Sequence, residues 1–301
     1  MRVIALLNRS AGTLTGNPHS DPLSPAALTA AFRAAAVDAD VRLVAPQAMR
    51  DEVAHAAALQ PDAVVVGGGD GTLNTAAGVL AGGATPLGVL PLGTLNHFAH
   101  DLGLPLEIDD AIRVIARGRV RAIDVGEVNG RVFLNNCSLG AYPAAVQRRD
   151  SLRRTRGFGK WRAMVVASLD VFRRVRRLRA QIEIDGAPHS CRTPLLFVSN
   201  NHYDGRLFAS SLREHLDEGR LWLYVARTHR FFPLLRSAWQ ALVRGLDAAD
   251  ALDTHSAQQV TIDVGLPKIT TGLDGELVTF AAPLRFRIRP HALRVLAPPA
   301  S

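Results

Sequence analysis

Two short glycine loops hold the residues of this 301-residue chain best suited to chemistry. Gly67-Gly68-Gly69-Asp70-Gly71-Thr72 lies between an apolar strand and a helix, so backbone N–H groups and a helix N-terminus converge on one point, a cradle for phosphate. Glycine runs after strands also form turns that bind nothing. Asp70 argues for a ligand, because an acid beside a phosphate cradle is useful mainly through a bridging divalent cation or a polar substrate hydroxyl. The run is neither a Walker A loop, since GxxxxGK[ST] is absent, nor the dinucleotide fingerprint, since the third glycine of GxGxxG is missing. A second loop, Pro91-Leu92-Gly93-Thr94-Leu95-Asn96-His97-Phe98, follows the next strand, at what would be the ligand edge of an open parallel sheet.

The elements that must position these loops are legible from hydrophobic patterning. Val3–Leu7, Val41–Val44, Ala63–Val66 and Leu87–Pro91 are apolar strands, and helices are expected after Ser24-Pro25, over 48–59, from about Leu73, and on to about Arg117. Ser24 reads as an N-cap with Pro25 at the first helical position. Strand and helix alternate four times, which predicts a parallel sheet covered by helices. After about Ile123 the strands come as hairpins: Asn129-Gly130, Asp185-Gly186 and Asp274-Gly275 are strong two-residue turn signals. PLLFVSN, LWLYVA, QQVTIDV and LRFRIR extend that pattern. The expected architecture is α/β: an N-terminal parallel-sheet nucleotide domain over 1–124 and a C-terminal antiparallel β-sandwich over 125–301, with one or two inserted helices. The extreme C-terminus is free to pack back on the first domain, and a cleft between the halves is the natural place for a site.

Composition bounds the partners. At 32.3 kDa, 48% apolar and 21% charged, the chain can bury one large or two medium cores and is not disordered by composition. Cys137 and Cys191 form no disulfide framework and no CxxC site, and read as small buried side chains. The apolar run at the N-terminus is too short for a signal-peptide core, and no segment approaches the ~20 apolar residues of a membrane span. A cytoplasmic protein with at most peripheral membrane association is expected.

The net charge of +8 is not spread over the chain. Between Arg148 and Arg179 stand twelve basic residues against Asp150 and Asp170, a local charge of +10, so the remainder is slightly acidic. Trp161, Met164, Val165, Ser168, Phe172 and Val175 recur there at helical spacing, with Arg173, Arg174, Arg176 and Arg177 in the last turns. Such a helix packs its apolar stripe on the sandwich and complements its own dipole, or it meets an anionic membrane surface, where each basic residue contributes about 1 kcal/mol. No nucleic-acid-binding motif accompanies the charge, and aromatics are 6%, so nucleic acid is not expected.

Taken together, the loops resemble a known family, the lipid kinases that include diacylglycerol, sphingosine and ceramide kinases. Asn8-Arg9-Ser10-Ala11-Gly12 is similar to that family's NPxSG motif, with Arg9 for proline and Ala11 for serine. GGGDGTLN (Gly67–Asn74) matches the GGDGT nucleotide loop without gaps, and PLGTLNHFA (Pro91–Ala99) resembles PxGTxNDxA with His97 in place of aspartate. Asn200-Asn201 through Gly205 resembles a fourth block, and Asp274-Gly275-Glu276 matches the late DGE. The resemblance implies an N-terminal domain like that of phosphofructokinases and NAD kinases, ATP and Mg²⁺ as cofactors, and phosphoryl transfer to a lipid hydroxyl such as that of diacylglycerol.

Carried over position by position, Gly68, Gly69, Asp70, Gly71, Thr72 and Thr94 would hold the ATP phosphates, and Asn96 would be a further cofactor-binding residue. Asn8 would line the nucleotide, and Asp70 would help position Mg²⁺. Glu276 would be the general base, against the plainer reading of a surface glutamate after a hairpin turn. A structural Mg²⁺ of bacterial members would fall on Asp217 or Glu218 in LDEGRL. His97 stands where the family's third motif has an acid that helps organise the metal. FLNNCSLGAYPAAV (Phe133–Val146) would line an acyl-chain groove, or simply build core. Two other readings stand beside this one: a soluble-substrate kinase of the NAD-kinase superfamily, whose nicotinamide-binding segments have no equivalent here, and a nucleotide-binding regulator impaired at His97. Which lipid is used, and whether the chain is a homodimer, are left open by the sequence.

Overall fold

The computed structural model describes residues 1–11, 23–140, 178–203, 213, 215–227 and 252–299. Gly12, Gly205, residues 141–146 of the expected groove and the basic segment up to Arg177, with its expected helix, lie outside these residues. The chain divides into two compact units. One comprises Met1–Val125, Ser210–Asp217 and Arg289–Ser301; the other comprises Gly126–Ala209 and Glu218–Ile288.

In the first unit β1 (Arg2–Asn8), β2 (Asp38–Val44), β3 (Ala63–Gly68) and β4 (Leu87–Pro91) form a parallel sheet in the order β2-β1-β3-β4. Every residue of β3 and β4 is buried, which is why these strands read as unbroken apolar runs. The connecting helices are α1 (Pro25–Ala34), α2 (Met49–Ala58), α3 (Asp70–Leu80), α4 (His97–Asp101) and α5 (Ile108–Arg117). Ser24 caps α1 as expected, its hydroxyl accepting from the Ala27 N–H at 3.3 Å with Pro25 opening the helix. Phe32 of α1 and Ile112 of α5 join Val3, Leu7 and Val65 in one apolar core.

α3 begins three residues earlier than the patterning suggested. Gly69 is extended (φ −88°, ψ −179°) and acts as N-cap, so Asp70, Gly71 and Thr72 are already helical. Asp70 then sits in the first turn, where a carboxylate complements the helix dipole. Glycines masked that start, because their helix propensity is poor in isolation.

The second unit is built from antiparallel strands. β7 (Asn136–Gly140), β10 (Leu195–Asn200), β11 (Leu221–Ala226), β12 (Leu252–Ala257), β14 (Lys268–Leu273) and β15 (Glu276–Ala281) pair in the order β12-β11-β10-β7-β14-β15. Packed against them, β8 (Leu178–Ile184) pairs with β9 (Ala187–Thr193) and with β13 (Gln259–Asp263), and β13 pairs with the first residues of β16 (Leu284–Ala297). Leu196, Leu223, Ile262 and Phe286 are among the side chains buried between these layers. The late half of β16 belongs to the first unit, where Val295 pairs in parallel with Leu87 and Leu296 enters the core. β5 (Arg119–Val128) and β6 (Arg131–Phe133) make a hairpin at Asn129-Gly130. Asp185-Gly186 and Asp274-Gly275 join β8 to β9 and β14 to β15 in the same way. Each turn places both its residues at positive φ, as the twist of a two-residue hairpin demands.

Candidate active site

The two glycine loops end adjacent parallel strands, β3 and β4, whose last residues Gly68 and Pro91 are paired across the sheet. Beyond that pair the loops close on each other. A Cβ at Gly93 would lie 2.5 Å from the Gly69 Cα, and one at Gly69 would lie 3.4 Å from the Gly93 Cα. Backbone meets backbone, so any side chain at position 93 must force the loops apart. The N–H groups of Asp70 and Gly71, first in α3, have no intrahelical acceptor and are the donors that an anion at this helix end would use.

Side chains fix the loops to one another. Asn8, at the end of β1, donates from Nδ2 to Thr72 Oγ1 at 2.8 Å and accepts the Ser10 N–H on Oδ1 at 3.0 Å, tying the first strand's exit to α3. Asp70 Oδ1 accepts the Phe98 N–H of α4 at 3.1 Å. That bond is the cap α4 otherwise lacks, because Asn96, at its N-cap with φ 50°, turns its carboxamide back into the loop. Asn96 Oδ1 accepts from Gly93 N at 2.9 Å, and Nδ2 donates to the carbonyls of Gly93 and Pro91. The buried Asn96 carboxamide thus shapes the loop, all three of its hydrogen bonds going to Pro91 and Gly93. Thr94 stands exposed at the loop's tip, and His97 is half-buried at the start of α4.

In the second unit Glu276, the first residue of β15, is exposed, with Arg131 at 3.7 Å as its ionic partner. So open a pair binds weakly and leaves the carboxylate accessible. Its neighbour Asp274, read in the sequence as a turn residue and as the first of the DGE match, holds the hairpin in place. Oδ2 accepts the N–H of Leu134 at 2.7 Å, and Oδ1 accepts those of Asn135 and Asn136 at 2.8 Å each. Asn200 joins the same segment, donating Nδ2 to the Leu134 carbonyl at 2.9 Å. Three stretches singled out in the sequence thus meet: Phe133–Asn136, Ser199–Asn201 and the late DGE. Asp274→Ala, by leaving these donors without their acceptor, is expected to cost about 1–3 kcal/mol. It should lower the unfolding midpoint measured by circular dichroism, with Asp274→Asn recovering part of the loss.

The two acids expected to hold a structural metal are engaged elsewhere. Asp217 Oδ1 lies 3.3 Å from Arg121 Nη2, and Glu218 Oε2 accepts both the His202 N–H and the Trp222 Nε1–H at 3.1 Å. Among the described residues no three His, Cys, Asp or Glu side chains gather as a metal site. Cys137 is buried, and burial pushes its thiol up to about 12, so it is inert packing; Cys191 is only half-buried. No described helix is long and apolar enough to cross a membrane.

Comparison with known proteins decides the family. Residues 2–128 match the diacylglycerol kinase catalytic domain, and residues 136–297 match the YegS C-terminal NAD kinase beta sandwich-like domain. The chain belongs to the YegS-like lipid kinase family. A probable lipid kinase YegS-like protein of Pectobacterium atrosepticum is 27% identical over 252 residues, 82% of either chain. One of Yersinia enterocolitica is 42% identical over 96 residues, 30% of this chain and 32% of its own. A putative diacylglycerol kinase of Bacillus anthracis shares the fold, with a TM-score of 0.74 at 22% identity, covering 99% of this chain and 97% of the other. The two-domain architecture expected from patterning is that of the family, and membership supports kinase activity.

Proposed function

We propose that the protein is an ATP-dependent kinase that transfers the γ-phosphoryl group to the hydroxyl of a lipid, diacylglycerol or a related lipid alcohol. The observation that carries this reading is the backbone contact of Gly69 with Gly93, which sets the start of α3 and an exposed threonine loop side by side at neighbouring strand ends. Phosphoryl transfer needs positioning and charge neutralisation more than covalent help, and such a site supplies both. The Gly68–Thr72 loop, through its Asp70 and Gly71 N–H groups, and the Thr94 hydroxyl hold the phosphates, with Asn8 fixing Thr72 beneath the nucleotide.

Mg²⁺ at phosphates is usually held by one or two carboxylates together with the phosphate oxygens. Asp70 fits that requirement: the Phe98 N–H engages Oδ1, and no hydrogen bond engages Oδ2 among the described residues. The bound ion would supply neutralisation of charge on the transferring group. Glu276 accepts the proton of the lipid hydroxyl as the oxygen attacks, and its exposed carboxylate can reach a proton donor without first breaking a strong pair. The Arg148–Arg179 segment, at +10, brings the enzyme to an anionic membrane surface from the cytoplasmic side.

The test is incubation of purified protein with γ-labelled ATP, Mg²⁺ and a panel of extracted lipids, beside Asp70→Ala and Glu276→Gln. Label should enter one chloroform-soluble product with the wild type, and both variants should fall by about 10²–10⁴-fold, the range for a lost general base. Equal labelling by the variants overturns the site. A wild type silent toward every lipid that gains transfer through His97→Asp overturns the activity in favour of an impaired nucleotide-binding regulator.

A further inference from the structure

Away from the glycine loops, the second unit carries an open pocket of about 590 Å³ over β8, β9 and the turn that follows β13. Its polar lining comes from both strands. Arg179 and Gln181 alternate with the buried Ala180 and Ile182 on β8, so both stand on the solvent side of the sheet. On β9, Arg192 lies directly opposite Arg179, and Ser190 directly opposite Gln181. Two guanidinium groups, an amide and a hydroxyl thus share one patch of one face.

The arginine pair is the anomaly. Like charges directly opposite each other destabilise an antiparallel ladder, and no carboxylate lies within ion-pair distance of either arginine among the described residues. Asp263, the acid that lines the pocket, gives Oδ1 to the Gly265 N–H at 2.8 Å. Asp253, on the neighbouring β12, is taken by Arg227 at 2.5 Å. Against two guanidinium charges the lining holds one carboxylate, so the pocket keeps a net positive charge, and its four donor groups are completed by an anion with several acceptor oxygens. Arginine's planar fork suits phosphate oxygens best.

We propose that the Arg179–Arg192 pocket is a binding site for a phosphate ester, separate from the nucleotide loops. The phosphate belongs either to a phospholipid headgroup or to a soluble phosphomonoester; the recognition chemistry is the same. This inference does not depend on the kinase reading, since binding is measured without ATP and without turnover.

Two arms read it out: calorimetric titration with glycerol 3-phosphate, and co-sedimentation with phosphatidylcholine vesicles with and without phosphatidic acid. The variants are Arg179→Gln, Arg192→Gln, and the charge-matched single controls Arg50→Gln and Arg117→Gln, at two exposed arginines of the first unit. At least one arm should show binding by the wild type that falls about tenfold or more with either pocket variant, the effect of one lost charge-assisted hydrogen bond. The controls should leave it unchanged. Binding only in the vesicle arm assigns the site to lipid headgroups, and binding only in the titration assigns it to a free ester. Arg179→Glu separates binding from folding: it puts an acid opposite Arg192, so the unfolding midpoint should hold or rise while binding disappears. No binding in either arm, or an equal fall with either control, overturns the proposal.

Discussion

Arg213→Met is expected to destabilise the protein by about 3–5 kcal/mol, while Arg213→Met combined with Asp101→Leu recovers most of that loss. Arg213 and Asp101 form an ion pair in the first unit with side chains 0% and 1% exposed, Nη2 to Oδ2 at 2.6 Å and Nε to Oδ2 at 3.0 Å. Removing one partner takes away the opposite charge of a pair that water cannot reach, and that penalty dominates. Removing both replaces the ions with apolar bulk, which is often close to neutral for a buried pair. Urea unfolding followed by circular dichroism checks both variants. A single variant that unfolds with the wild type would show the pair to be solvated in solution.

The pair also bears on the candidate active site. Asp101 ends α4, the helix whose first turn is held by Asp70, so this one short element is fixed at one end to the phosphate loop and at the other to Arg213. The double variant should therefore keep its fold while losing turnover more than the wild-type stability of the molecule would suggest.

What the sequence revealed and what it concealed divide along a physical line. Strand runs such as Leu87–Pro91, the Ser24-Pro25 cap and three hairpin turns depend on neighbours a few residues away, and the patterning located them closely. The glycine loops were legible because residue type alone carries the information: only glycine at position 93 tolerates the approach to Gly69. Contacts across long separations left no such trace. Arg213 and Asp101 lie 112 residues apart, and nothing in the sequence around either marks a buried ion. Asp274 shows the intermediate case. Asp-Gly announced a turn, but the carboxylate's grip on Leu134–Asn136 depends on a strand 138 to 140 residues distant. The loop-closing bonds of Asn96 were hidden for the same reason, since loop asparagines that bind ligands and those that bind their own loop look alike until the loop is folded. The start of α3 at Asp70 was hidden because helix propensity disfavours glycine, whereas the sheet edge and the Gly69 cap impose the helix there.

Gly93→Ala is expected to lower kcat/KM for phosphoryl transfer by about 10²-fold, the cost of misplacing reacting groups by roughly an ångström, with little change in the unfolding midpoint. The methyl group has nowhere to go: it would lie 2.5 Å from the Gly69 Cα and 2.7 Å from Asn96 Oδ1. Asn96 cannot yield freely, because its carboxamide closes the loop through three hydrogen bonds to Gly93 and Pro91. Gly69 cannot yield without shifting the first turn of α3, since its carbonyl accepts from both Thr72 N at 2.9 Å and Leu73 N at 3.1 Å. The strain is therefore relieved by separating the two loops, which moves the Thr94 tip away from the Asp70 and Gly71 N–H groups. Both strands remain buried and paired up to Gly68 and Pro91, so the core is spared. Steady-state kinetics beside thermal unfolding separate the two effects. Gly103→Ala serves as the comparison: no atom lies within 4 Å of a Cβ there, so backbone strain at its φ of 67° should cost some stability and leave catalysis intact. If Gly93→Ala turned over like the wild type, the contact between the two loops would not be what positions the phosphates.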